Sequence, residues 1–181
     1  MLLYDIVNRS DFIMQFDELA VARFVFPETI EAIGRFTITW NLFEHNYMKN
    51  KGSEKAISDI PFSPIDEGAR ATFDDLIETF RRSVIEYYSP NQQEFNDALI
   101  KMWFYHSGYG AHITEIKDFF NYENNDLKAC LYAICRIRNN MLHGEKDVFS
   151  INYQAKLVDA ASEVLAFMNR DEMVGCLGKM V

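Results

Sequence analysis

Four residues separate Arg138 from His143, Asn139 follows the arginine directly, and Gly144 follows the histidine. A guanidinium of fixed charge beside an imidazole that titrates near neutrality is a pairing suited to holding an anion and moving a proton. The arginine is also out of place. Leu127, Leu131, Ile134, Arg138 and Met141 recur at steps of four and three, so Arg138 occupies a position where the helical pattern asks for an apolar side chain. A charge held against a core face needs an acidic partner or an anionic ligand, because leaving it unpaired there is too costly. Glu44 answers that need on an earlier segment, where it interrupts a stripe of Ile33, Thr37, Trp40 and Tyr47. The two are expected to face each other at the edge of the core, as an ion pair that fixes the guanidinium for a phosphate. Arg136 lies about 200° round the helix from Ile134, and is expected to reach solvent.

The elements that must position these residues all read as helices. Asn8 or Ser10 can cap a first, peripheral helix within residues 1–26, in which Phe12, Ile13, Phe16, Leu19 and Ala20 repeat at helical spacing. Pro27 suits the opening of a longer helix with Glu28 and Glu31 in or near its first turn. It continues through Trp40 to the region of Asn50, where Lys49, Lys51 and Gly52 give a stop signal. Gly52 to Pro64 carries Gly, Ser and two prolines with little periodicity, which predicts a loop and the most mobile internal part of the chain.

A third helix is expected from Asp66 to Tyr88, with Phe73, Leu76, Ile77, Phe80, Val84 and Tyr87 or Tyr88 toward the core and Arg81 and Arg82 leaving its side. After the break at Ser89-Pro90-Asn91, Phe95, Leu99, Met102 and His106 mark a fourth, which Ser107-Gly108-Tyr109-Gly110 interrupts. A short helix from His112 to Phe120 and a polar turn from Asn121 to Asp126 lead into the Arg138 helix, which should end near His143-Gly144. The last helix, Asn152 to Asn169, should bury Leu157, Val158, Ala161, Val164, Leu165 and Met168, and the tail over 170–181 should be loosely held. No segment reads as a strand ladder and no internal repeat is visible. The expectation is a single all-α domain over 1–181, a bundle of five to seven helices. Two long helices, 28–50 and 66–88, should form its antiparallel backbone with the Arg138 helix laid against them.

Composition narrows the function classes. With 49% hydrophobic and 25% charged residues, the chain has ordinary globular usage, which argues against disorder and against a disulfide scaffold. No apolar run approaches the roughly 20 residues needed to cross a bilayer, and the N-terminus lacks the basic region and apolar core of a secretion signal, so a soluble, cytoplasmic protein is expected. Cys130, Cys135 and Cys176 form no CxxC pair and read as reduced, core-filling thiols. A net charge of −9 argues against non-specific coating of nucleic acid, so any such site must be a local basic pocket. Lys128, Arg136 and Lys146 flank the Arg138 stretch and are the candidates for it. His45, His106 and His112 lack HxxxH or HExxH spacing, so no metal or other cofactor is expected. The series Trp40, Phe43, Tyr47 and Trp103, Phe104, Tyr105 reads as core and dimer surface rather than a base-stacking platform, with Tyr109 a candidate exposed tip.

Arg138-Asn139 through His143-Gly144 resembles the R-x(4–6)-H signature of the HEPN superfamily of small all-helical domains, in which Asn often follows the Arg and Gly sometimes follows the His. The setting is similar too, since the motif closes a late amphipathic helix, and Glu44 matches the acidic or polar residue that an earlier helix commonly supplies. The resemblance implies a metal-independent endoribonuclease that cleaves RNA by attack of the ribose 2′-hydroxyl on the adjacent phosphorus, leaving a 2′,3′-cyclic phosphate and a 5′-hydroxyl. In that reaction His143 would act as general base or acid and Arg138 would stabilise charge on the phosphorane oxygens, while Asn139 would orient the histidine or bind a phosphate oxygen. It further implies a homodimer with a composite site, which would make good the shortage of a second proton-transfer group. A role as toxin or antiviral effector, with a cognate antitoxin or regulatory partner, rests on the resemblance alone.

Other readings use the same residues. Arg138 and Glu44 can be a purely structural ion pair, and His143 a C-capping residue. A non-catalytic HEPN-like module, binding a partner or a nucleotide, is the alternative from another class. The acidic charge favours it, as does Glu145, which stands where some toxin members carry Tyr two residues after the His. A helical scaffold without a site would explain the packing but not the charged interruptions of two apolar stripes.

Overall fold

The computed structural model describes residues 25–51, 53–61, 65–88, 112–121, 127–142 and 151–170. Among them are six helices and no strand: α1 (Pro27–Tyr47), α2 (Glu54–Ser58), α3 (Glu67–Tyr88), α4 (Ile113–Phe120), α5 (Leu127–Leu142) and α6 (Ala155–Met168). The helices expected around Phe12–Ala20 and Phe95–His106, and the tail after Arg170, lie outside the described residues.

Local chemistry sets most of the boundaries. Pro27 opens α1 where its missing N–H costs nothing, and the Phe26 carbonyl accepts from the Thr29 and Ile30 amides at 2.9 and 3.1 Å. At the other end the Glu44 carbonyl accepts from both Met48 (3.0 Å) and Asn50 (3.1 Å), while Lys49 and Asn50 take left-handed backbone conformations. That closure ends α1 at Tyr47, slightly before the expected stop. Asp66 caps α3, its carboxylate accepting from the Gly68 amide at 2.8 Å.

The core is one cluster that runs through all six helices. On α1 the buried positions are Thr29, Ala32, Phe36, Trp40 and Phe43, so the inward face is displaced from the expected stripe and Thr37 is exposed, its hydroxyl donating to the Ile33 carbonyl (2.8 Å). The two long helices do run in opposite senses, but what binds them is α6. Phe26 meets Asn152 (2.8 Å), Arg35 meets Asp159 (2.7 Å) and the Tyr47 hydroxyl donates to the Met168 carbonyl, so α6 is parallel to α1. Tyr87 accepts from Gln154 (2.8 Å) and the Phe73 and Phe167 rings lie 5.7 Å apart, so α6 is antiparallel to α3. Small buried residues on α6, Ala160, Ala161 and Ser162, let both neighbours approach closely. The direct pairing expected of the two long helices is therefore replaced by packing of each on the last one.

Two further expectations are corrected. The segment read as a mobile loop contains α2, capped by the Ser53 hydroxyl accepting from the Ala56 amide (3.4 Å), with Ala56, Ile57 and Ile60 all in the core. Arg81, expected to leave the side of α3, is 2% exposed. Its Nε donates to the Phe119 carbonyl at 2.9 Å, its Nη1 to Glu78 at 3.1 Å, and its guanidinium carbon stands 4.5 Å from the centroid of the Phe119 ring. One charge is thus housed by a carbonyl, a carboxylate and a ring at once, which is how a buried arginine becomes tolerable.

Candidate functional site

Helix α5 carries the Arg138 motif, and its surroundings decide what that motif can do. Every residue from Ala129 to Cys135 is buried, and so are Leu127, Ile137 and Asn140. A helix buried nearly all round has no solvent face in its middle, so it is enclosed on several sides rather than being a cover laid over the long helices, with α2 and α4 among its neighbours. The sequence carries a trace of this, since Ala129 to Cys135 contains no charged residue.

Burial of that kind overturns the expectation for Arg136. Its side chain is 16% exposed and its Nε lies 2.7 Å from Oε1 of Glu54, itself 16% exposed, on α2. Eight residues earlier on α5, the Lys128 amine donates to the Ser58 carbonyl at the far end of α2 (3.0 Å). The two cations expected to stand free beside the motif instead hold α2 antiparallel along α5. Neither was assigned this role from sequence, because Glu54 and Ser58 lie in the stretch read as loop. The available signal was Ser53 as a cap followed by Ala56, Ile57 and Ile60 at helical spacing.

Arg138 is partly buried and is held differently. Its guanidinium carbon lies 5.6 Å from the centroid of the Trp40 ring on α1, and its Nη1 donates to Oδ1 of Asn139 at 3.1 Å. Trp40 is 2% exposed and its indole N–H donates to Oε2 of Glu44 at 2.8 Å. Glu44 and Arg138 do converge on one place, as their interruption of two stripes suggested, but as a chain of carboxylate, indole and guanidinium rather than as the direct ion pair expected. An indole fills the space where the pattern left room for charge-to-charge contact. Of the two arginines, Arg136 is the one with a carboxylate partner among the described residues.

Between these groups sits Cys135. Its sulfur receives the Asn139 side-chain amide at 3.9 Å. Burial pushes its thiol up to about 12; the Glu54 and Glu44 carboxylates add to the rise, and the Arg138 and Arg136 guanidiniums oppose it. A thiol so placed stays protonated at neutral pH, in keeping with a packing role. All four charged groups thus lie close enough to act on one atom. Among the described residues the local balance is two acids against two bases.

His143, Gly144 and Lys146 lie outside the described residues, as do His106 and Tyr109. His112 stacks on Tyr132 of α5 with centroids 3.9 Å apart and planes 10° apart, and its Nδ1 is 3.2 Å from Oε1 of Glu115. Among the described residues no three His, Cys, Asp or Glu side chains converge as a metal ion would need, and no helix is long and apolar enough to cross a membrane. Comparison with family models, curated proteins and solved structures finds no match to this chain.

Proposed function

We propose that this chain is a HEPN-type, metal-independent endoribonuclease whose site is built on the end of α5. The observation that supports it most is the state of Arg138, partly buried, oriented by Trp40 and Asn139, and without the carboxylate that Arg136 has. A guanidinium restrained in this way keeps its charge available to a phosphate and gives up little conformational freedom on binding one. His143 follows the last residue of α5 in the chain. An imidazole is the side chain suited to give or take a proton near neutrality, the task of the general acid or base in this reaction.

On this reading the 2′-hydroxyl of a ribose attacks the adjacent phosphorus. Its proton leaves to a base, the 5′-oxygen departs with a proton from an acid, and a 2′,3′-cyclic phosphate and a 5′-hydroxyl result. Arg138 stabilises the charge that builds on the non-bridging oxygens, His143 transfers a proton, and Asn139 keeps the guanidinium in register. Two proton transfers ask for a second group, which a homodimer placing two copies of the motif at one cleft would supply. A toxin or antiviral role, under control of an antitoxin or other regulator, accords with such an activity in the cytoplasm.

A second reading is favoured by a specific observation. Glu54 and the Ser58 carbonyl engage Arg136 and Lys128, leaving little basic surface along α5 to follow a nucleic-acid strand, as a non-catalytic module binding a partner or a single nucleotide would have. The deciding experiment is incubation of the wild-type protein and His143→Ala with total RNA in the presence of a chelator, with analysis of the ends produced. Cyclic phosphate ends from the wild type and none from the variant support the nuclease. Intact RNA from a stably folded wild-type protein would leave the module.

A further inference from the structure

We propose that Trp40 is the positioning residue of the Arg138 site: its indole, itself oriented by Glu44, holds the guanidinium on an aromatic face and so keeps it from being neutralised by a carboxylate. This rests on the reading of Arg138 as an anion-binding group, and it names a residue that the spacing of the motif does not contain.

Two facts about Trp40 carry it. Its ring is 2% exposed and packed between Phe36 and Phe43, at centroid distances of 6.4 and 5.9 Å, so the plane on which Arg138 rests is fixed by the core and not by the ligand. Its one polar atom is used to reach Glu44 at 2.8 Å, one helical turn along α1, which ties the carboxylate to the indole edge. Arg138 lies over the ring at 5.6 Å from the centroid. The indole thus separates the acid from the base while attracting both, the acid through its N–H and the base through its π face. A direct Glu44–Arg138 pair would leave the guanidinium's best donors committed. The aromatic spacer avoids that commitment, and among the described residues Arg138 donates from Nη1 to Asn139. Arg136, ion-paired at 2.7 Å to Glu54, illustrates the other outcome on the same helix.

The test uses the full chain with Trp103→Phe, which leaves Trp40 as the only tryptophan. Titration with inorganic phosphate should change Trp40 emission, and the change should vanish when Arg138→Ala is added. An emission that does not respond to phosphate, or responds equally without Arg138, overturns the proposal. That readout needs no RNA cleavage, so it is independent of whether the chain is a nuclease. Where RNA is cleaved, Trp40→Phe keeps a ring beneath the guanidinium and loses the N–H, while Trp40→Leu loses both. The Leu variant should fall below the Phe variant in kcat by about twofold to thirtyfold, the range a cation–π contact spans from exposed to desolvated settings. KM should be changed less, and the comparison is made at temperatures where both are fully folded. Equal kcat for the two variants, with cleavage still dependent on His143, removes Trp40 from the site while leaving the nuclease reading intact.

Discussion

Two arginines two residues apart on α5 are treated in opposite ways. Arg136 is neutralised, its Nε 2.7 Å from Glu54, and the pair fastens α2 to the bundle. Arg138 is held by the face of Trp40 and the amide oxygen of Asn139, and Glu44 accepts from the indole N–H of that same Trp40. The difference separates a charge used for structure from a charge kept for a ligand. An ion pair consumes the field of the guanidinium, whereas a ring restrains its position and leaves most of that field in place. Arg81 shows the two devices combined, with Glu78 and the Phe119 ring acting on one buried side chain, and there the charge is enclosed with nothing left over.

The largest effect should come from exchanging the two side chains' fates. Arg138→Ala should lower the rate of RNA cleavage by about 10²–10³-fold, the usual cost of removing one charge-stabilising donor from a transition state, while the unfolding midpoint in urea moves little. Arg136→Ala should do the reverse. It leaves Glu54 partly buried without its guanidinium, so stability should drop by about 3 kcal/mol while cleavage per folded molecule holds. If both variants lost activity in equal measure, the distinction between them would be gone.

Arg81→Met tests the enclosed arginine. It keeps the apolar stem but strands the Phe119 carbonyl and takes from Glu78 one of its guanidinium partners, Arg82 remaining at 3.0 Å; a loss of about 2 kcal/mol is expected from denaturant unfolding, with cleavage unaffected. A smaller effect concerns the thiol between the charges. Because folding raises the Cys135 value from an ordinary 9.0 to about 12, its contribution to stability is complete below the unfolded value and disappears as pH rises through the folded one. Tyr47, raised above 10.0 by burial, acts in the same direction. The urea midpoint should therefore fall between about pH 9 and 12, and Cys135→Ala should flatten part of that limb. Peptide mapping after brief alkylation of the native protein at pH 8.5 should find Cys135 unmodified; rapid labelling would mean that the core at this point is open.

Much of the helical layout is legible in the sequence. Pro27 opens α1 as expected, the third helix expected over Asp66 to Tyr88 is observed as Glu67–Tyr88, and the last helix buries all six of the side chains expected of it. Arg138 and Glu44 also stood out, because a charge in an apolar stripe is visible in one dimension. The region around Arg136 was not legible for the same reason. Periodicity assumes that a helix has an inside and an outside, and α5 is covered on both by neighbours, one of which, α2, is a single short turn of chain within a segment of weak pattern.

What the sequence determined alone is therefore the class of structure and the places where it breaks its own rule: five of the six helical stretches among the described residues, each with a cap, a stop or an apolar period, and two charges where apolar groups were due. That α5 is enclosed on nearly every side, which of the two arginines meets an acid, and that an indole stands between Glu44 and Arg138 were decided only in three dimensions. Those are facts about distance between segments far apart in the chain, and the free energy of a charge depends on its neighbours across the fold more than on its own place in a repeat.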